Sequence, residues 1–406
     1  MASYPLATDT FSDDEIDAVR AVLASRQLTM GVRVREFESA FAEWTGAAHA
    51  VMVNSGSSAN LLQVDAMLRR SSAEPPWRTG DEVLVPALAW PTTVWPLAQL
   101  GLVPVFVDID PHTLAIGLEN AESALSPKTK GLVLIHVLGR AGPIDEAVRF
   151  CDRHGLVLLE DACESLGAHV ARRHLGTFGV AGSFSCYFSH HISTIEGGVI
   201  VTSDHALEDD LRSLRAHGGI RDRSDREAWA ARHPEIDERF LFVLGGYNVR
   251  PTEIQAAIGT VQLRKLPHML EQREALARDV RGWIARTAPW LHLIGAECLP
   301  AVGEQRDRRD RGHSWMTLPF RLAPDAPISR DDLRRHLEDR GVETRPLIAG
   351  NLARHPAVRL FPTRSAPSLR EADELLAHGL MIGCHPVLAP DSRDTLARAL
   401  ASLQSL

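Results

Sequence analysis

The 406 residues carry 44 Lys+Arg against 52 Asp+Glu, a net charge of −8, with 45% hydrophobic residues and five cysteines; at about 100–200 residues per domain this allows two or three domains with full-sized cores. A net negative chain without a basic block lacks the electrostatic footprint of a nucleic-acid binder or of a protein that docks on anionic membranes. The N-terminal stretch MASYPLATDTFSDDEID has no basic region leading into an apolar run, and no apolar stretch approaches the ~20 residues that span a bilayer, so a cytoplasmic location is expected.

In chain order, a first helix is predicted at SDDEIDAVRAVLAS, where Asp13, Asp14 and Glu15 in the opening turn suit the helix dipole. From about residue 49 to 202, short apolar or β-branched runs alternate with helical segments: HAVMVN, DEVLVP, VPVFVDID, GLVLIHV, HGLVLLED, SFSCYF and GVIVTS. Uninterrupted apolar strands of this kind predict a mostly parallel sheet covered by helices on both faces. The amphipathic pattern over 252–287 predicts a connecting helix, and the charge-dense EQRDRRDRGH (304–313) reads as a solvated loop. After it, MTLPFRL, ISRDDLRRHLEDRG and GVETRPL predict a smaller α+β domain. The expected division is a large domain over 1–250 and a connecting helix with a small domain over 251–406.

Cys151, Cys163, Cys186, Cys298 and Cys384 are scattered, with no CxxC pair and no histidine at metal-finger spacing, so free thiols and no metal centre are expected. Only three residues are lysine: Lys128, Lys130 and Lys265.

Three stretches carry chemistry. VMVNSGSSANLL places Gly56, Ser57 and Ser58 where a strand turns into a helix, presenting backbone N–H groups and hydroxyls to an anion; an ordinary helix cap reads equally well. It is neither a GK[ST] loop nor a GxGxxG turn. LVLLEDACESLGA ends an apolar strand in Glu160 and Asp161 at the edge that faces the ligand crevice of an open α/β sheet. A carboxylate there demands a cation or a hydrogen-bonded partner, such as a protonated pyridine nitrogen, unless it merely caps the next helix. AGSFSCYFSHHISTIEGGVIVTS ends a strand in Ser185, continues through His190 and His191, and returns through Glu196-Gly197-Gly198. Adjacent histidines point apart in an extended chain, which disfavours a metal pair.

Together with TMGVRVREFESAFAEWTGAAHA, VPALAWPTTVWPLAQLGL and GYNVRPTEIQAAIGTVQL, these stretches resemble the DegT-type nucleotide-sugar aminotransferases over nearly the whole chain. The resemblance implies the fold-type-I architecture of pyridoxal-phosphate (PLP) enzymes, with a mostly parallel seven-stranded sheet between helices and a smaller C-terminal α+β domain. It implies that Gly56, Ser57 and Ser185 hold the cofactor phosphate, that Asp161 pairs with the pyridine nitrogen, that Trp90 stacks on the ring, and that Glu164 also binds the cofactor. Asn248 would reach the phosphate in a neighbouring subunit, making the active unit a homodimer with its site at the interface.

The sequence departs from that family at one position. The pattern of a serine, four residues, the cofactor-bonding lysine, then five residues before Glu-Gly-Gly is kept, but His190 stands where the lysine belongs. The three lysines elsewhere do not replace it. Imidazole forms no stable imine, yet near neutral pH it shuttles protons. The same replacement marks a subset of the family, the 4-keto-6-deoxyhexose 3-dehydratases, and TTVWP, FSHHISTIEGG, RAHGGIRD and GVETRPLIAGNL resemble that subset. The resemblance implies pyridoxamine phosphate (PMP) bound noncovalently, His190 as the catalytic base, a nucleotide-sugar substrate and L-glutamate as amino donor. Cys186, Cys298 and Cys384 are too dispersed for the iron–sulfur ligands of one branch, so the cluster-free branch is expected. Arg221, Arg250, Glu343 and Arg345 are candidates for substrate contacts, because guanidinium groups match diphosphate oxygens. Two alternatives stay open: a relative that uses His190 as base on another keto sugar or an amino acid, and a non-catalytic binding relative.

Overall fold

The computed structural model describes residues 3–71, 74–301, 304 and 307–406. The chain begins with α1 (Asp13–Ser25) and α2 (Val32–Thr45), and then alternates β1 (His49–Val53), α3 (Gly56–Leu68), β2 (Glu82–Pro86), α4 (Pro91–Gln99), β3 (Val103–Val107), α5 (Leu118–Ala124), β4 (Thr129–Ile135), α6 (Ile144–His154) and β5 (Val157–Asp161). A hairpin of β6 (His169–Val170) and β7 (Arg173–His174) precedes β8 (Ala181–Ser185), β9 (Gly198–Thr202), α7 (His205–Arg215) and α8 (Arg226–Arg232). The 35-residue α9 (Glu253–Thr287) leads to β10 (Leu291–Leu293), β11 (Thr317–Leu322), α10 (Arg330–Glu338), β12 (Thr344–Arg345), β13 (Arg364–Ser365), α11 (Arg370–His378), β14 (Gly379–Gly383) and α12 (Pro390–Ala401).

The large sheet runs β1-β9-β8-β5-β4-β2-β3-β13, parallel from β8 to β13. β9 is antiparallel to both β1 and β8, which returns β1 to the direction of β8. All seven runs read from the sequence are strands of this sheet, and the eighth member is the two-residue β13 from beyond residue 250. It was invisible as a run because two residues carry no period. The second sheet, β10-β11-β14-β12, is antiparallel throughout.

The central strands bury side chains on both faces, which is why they read as continuous apolar runs rather than alternating ones. One face packs Leu62, Val94 and Leu211 of the covering helices, and the other packs Phe37, Phe41 and Leu270 against Met52 and Phe184. A separate core of Leu318, Phe320, Leu333 and Leu396 holds the second sheet to its helices. Reciprocal bonds close the starts of α1 and α9. Ser12 accepts from the Asp14 N–H while Glu15 accepts from the Ser12 N–H, and Thr252 with Gln255 does the same for α9.

The 304–313 segment is solvent-exposed at Glu304 and over 307–310, as a solvated loop should be, but its end turns inward. Gln305 and Arg306 lie outside the described residues, but Arg311 is buried and its guanidinium meets Glu274 of α9 at 3.1 Å. His313 is buried as well, stacked on Trp315 with centroids 3.9 Å apart. Glu274 on a neighbouring helix, unseen in a local charge count, makes the burial of Arg311 possible. Among the described residues no helix is long and apolar enough to cross a membrane.

Candidate active site

The carboxyl ends of β1, β2, β5 and β8 lie at one edge of the large sheet, so the turns that follow them converge. After β1, α3 starts at Gly56 with Ser55 as its cap, accepting from the Ser58 N–H at 3.1 Å. The Gly56 and Ser57 amides, first in the helix, have no intrahelical acceptor and carry the positive end of the dipole. A Cβ on Gly56 would sit 2.6 Å from Ser185 Cβ and 3.2 Å from Cys163 Sγ. Only glycine therefore lets the helix start against the end of β8, which brings Ser185 beside these amides. The Ser57 hydroxyl donates to Thr92 at 2.9 Å. Trp90 caps α4 after β2 and is 57% exposed at the same edge.

Asp161 ends β5 and is only 4% exposed. Its Oδ2 accepts from Thr93 Oγ1 at 2.6 Å and Asn60 Nδ2 at 2.9 Å, and its Oδ1 accepts from the Cys163 N–H at 3.0 Å. No cationic side chain pairs with it among the described residues. A buried, oriented carboxylate without a counter-charge, beside free amides at a helix start, suits a ligand with a protonated ring nitrogen and a phosphate. Thr93 and Asn60 escaped the sequence reading. The usable signal was spacing, since Asn60 lies four residues after Gly56, one helical turn along α3.

Glu160 faces the other way, as alternate strand residues must. It accepts from the N–H groups of Gly176, Phe178 and Gly179 at 2.6–2.7 Å and meets His136 Nε2 at 2.9 Å. That set shapes the loop before β8. Glu164 accepts from the Leu138 N–H at 2.7 Å. Burial pushes its carboxyl up to about 7, with the neighbouring Asp161 charge adding to the rise against the Leu138 bond.

In the loop after β8, His190 Nδ1 lies 2.7 Å from the Cys163 carbonyl. A carbonyl only accepts, so Nδ1 carries the proton and Nε2 keeps a lone pair. Burial holds this imidazole down at about 4, opposed by the Cys163 bond and the Asp161 charge. It is therefore a neutral base at physiological pH. His191 turns the opposite way: it is 1% exposed, and its Nε2 donates to the Ser314 carbonyl at 3.0 Å, anchoring the loop to the second core. Gln262 and Gln255 of α9 hold the same loop through the Ser193 N–H and the Glu196 carbonyl.

His190 lines a cavity of about 90 Å³ shared with Thr8, Arg273, Met316, Met381 and His385. The N-terminal segment forms one wall because Tyr4 Oη donates to the Gly383 carbonyl and His385 Nε2 to the Pro5 carbonyl, both at 2.7 Å. Arg273, 3% exposed, spends its Nη1 on the carbonyls of Trp315, Met316 and Cys384. Neither the N-terminal wall nor Arg273 was legible in the sequence.

The candidate substrate residues are spread around this edge and exposed. Glu343 accepts from the Leu6 N–H at 3.0 Å, and Arg345 pairs in register with Met381 of the cavity wall. Arg250 Nε donates to Asn248 Oδ1 at 3.0 Å, and Ala216 bridges Asn248, so Asn248, Arg250 and the loop carrying Arg221 share one surface beside Asn54, whose N–H donates to the Val249 carbonyl. The lysines are elsewhere. Lys128 and Lys130 are exposed before and on β4, and Lys265 pairs with Glu15 at 2.7 Å.

A mostly parallel sheet with these turns at its carboxyl edge is the α/β architecture of fold-type-I enzymes. The chain belongs to the DegT/DnrJ/EryC1/StrS aminotransferase family, whose profile matches residues 9–401. It is 36% identical over 390 residues to a GDP-4-keto-6-deoxy-D-mannose 3-dehydratase of Yersinia pseudotuberculosis, covering 95% of each chain. It is 33% identical over 400 residues to a dTDP-4-dehydro-2,6-dideoxy-D-glucose 3-dehydratase of Saccharopolyspora spinosa, covering 96% of this chain and 84% of the relative. Among solved structures, a GDP-4-keto-6-deoxymannose-3-dehydratase with a trapped PLP-glutamate geminal diamine superposes with a TM-score of 0.85 at 35% identity, over 98% of this chain and 100% of the other.

Proposed function

We propose that the protein is a PLP/PMP-dependent 3-dehydratase that removes the 3-hydroxyl of a nucleotide-linked 4-keto-6-deoxyhexose, with L-glutamate as amino donor, in deoxysugar biosynthesis. The observation that carries this reading is His190, a neutral imidazole oriented by the Cys163 carbonyl, at the position where the family pattern has its cofactor lysine. PMP, when bound, supplies an amine for the sugar's 4-keto group and a protonated ring that draws electrons from its C4′ carbon, and L-glutamate restores its amine form.

Asp161 holds the proton on the ring nitrogen, kept in place by Thr93, Asn60 and the Cys163 amide. Gly56, Ser57 and Ser185 hold the phosphate, Trp90 covers the ring, and Glu164 binds beside Asp161. With the cofactor bound, His190 Nε2 would take a proton from its C4′ carbon and the sugar's 3-hydroxyl would leave as water; hydrolysis would then yield a 3-deoxy-4-keto sugar and ammonia. Because the 3-hydroxyl has left, the sugar amine is unsaturated, tautomerises to an imine and takes up water, so the nitrogen departs as ammonia instead of ending on the sugar. Arg221, Arg250, Glu343 and Arg345 serve the nucleotide and sugar. Asn248 serves the site of a second copy in a cytoplasmic homodimer.

The test follows the absorption spectrum of the protein with PLP and excess L-glutamate, then adds a 4-keto-6-deoxy nucleotide sugar and measures ammonia. Conversion to the PMP form, with ammonia released in step with sugar consumed, is expected. In His190→Asn the cofactor stays bound while turnover falls by about 10²-fold or more. An aminated sugar without ammonia, or full activity in His190→Asn, overturns the reading.

A further inference from the structure

On the far end of β1 from the Gly56 turn, about 16 Å along the strand, His49 meets the first turn of α7. His49 Nδ1 lies 2.8 Å and His205 Nδ1 3.1 Å from the same oxygen, Oε2 of Glu208. The three ligand atoms all lie within 4.8 Å of one another. The protonation of His205 is fixed from behind. Ser224 Oγ donates to Asp209 Oδ2 at 2.6 Å, and a hydroxyl has one proton, so its 2.9 Å contact with His205 Nε2 requires that nitrogen to be the donor. Nδ1 of the neutral ring then turns a lone pair toward a carboxylate oxygen, which is repulsive unless a cation lies between them. Glu208 is oriented from behind too, since its Oε1 accepts from Arg212 Nε and Nη2 at 3.0 and 2.8 Å.

We propose that His49, His205 and Glu208 form a binding site for a borderline divalent metal such as Zn²⁺, separate from the active site. Two imidazoles and one carboxylate are a zinc-type donor set, and imidazole disfavours Mg²⁺ and Ca²⁺. A tetrahedral ion sets its ligand atoms about 3.4 Å apart, a small spreading of the present set. Asp209 through Ser224, and Arg212, are the outer groups that fix the ligands. His205 is 60% exposed, so solvent takes the fourth position. The ion ties β1, an edge strand of the large sheet, to α7.

Chelator-treated full-length protein, carrying its cofactor, is titrated with ZnCl₂ by calorimetry, and cobalt is substituted to read the tetrahedral visible bands. One ion per chain and a zinc-dependent rise in Tm are expected. His205→Ala loses the site while keeping cofactor binding and turnover, and Ser224→Ala weakens zinc binding by roughly 10–100-fold. Wild-type protein that takes up no zinc overturns the proposal and leaves a second proton on His205 as the cation. Binding of equal strength in His205→Ala, or cobalt bands that persist there, also overturns it and places the metal elsewhere.

Discussion

On the proposed function, the exchange of one side chain sets the chemistry of this site. A lysine would bond to the cofactor; His190 instead keeps a lone pair on Nε2 because the Cys163 carbonyl claims the proton on Nδ1. Its neighbour His191 has the same side chain and a different role, since its donor is spent on Ser314 in the second core. Asp161 and Glu160 divide in the same way, one facing the site and the other the 176–179 loop. Asp161→Asn keeps the volume but removes the charge proposed to hold the ring proton. The rate of ammonia release is expected to fall by about 10²–10⁴-fold with the fold unaltered, measured by single-turnover kinetics alongside circular dichroism. His190, Asp161 and Ser185 were singled out in the sequence by segments that resemble the family pattern. Thr93, Asn60 and Arg273 were not, because their roles come from partners between 42 and 111 residues away.

At the scale of elements, the site depends on how closely α3 approaches β8 and on how α9 holds the loops above them. Gly56→Ala would press a methyl onto Ser185 and Cys163, and the helix start must shift to relieve it. The expected result is a loss of PLP affinity of about tenfold or more, read from spectroscopic titration, with a smaller change in Tm. Glu253, buried in the first turn of α9, accepts from the N–H groups of Gly31, Arg33 and Val34 at 2.8–3.0 Å and so caps α2 from a distant element. Glu253→Ala strands these amides and is expected to cost about 1–3 kcal/mol, visible as a lower urea midpoint. The sequence did not show Glu253 as the cap of α2, because the two ends lie more than 200 residues apart.

At the scale of the whole molecule, a set of buried histidines makes stability depend on pH. Burial holds His169, His190 and His385 down at about 4 and His174 at about 3. The unfolded chain takes up protons on these groups near 6.5 while the folded chain does not, so stability falls as pH drops from about 6.5 toward 4. Glu164, raised by burial to about 7, acts with the opposite sign between about 4.5 and 7 and offsets only one of the four. Urea midpoints at pH 7 and pH 5 check this, and the pH 5 value is expected to be the lower. The amino-acid sequence alone determined the strand series, the connecting helix and the turn from β1 into α3, because each is written in local period or turn chemistry. Tertiary structure alone decided the eighth strand, the burial of Arg311 and His313, the N-terminal wall of the cavity and the tautomer of His190. Those depend on which distant acid, carbonyl or edge strand a residue meets, and only the folded chain brings them together.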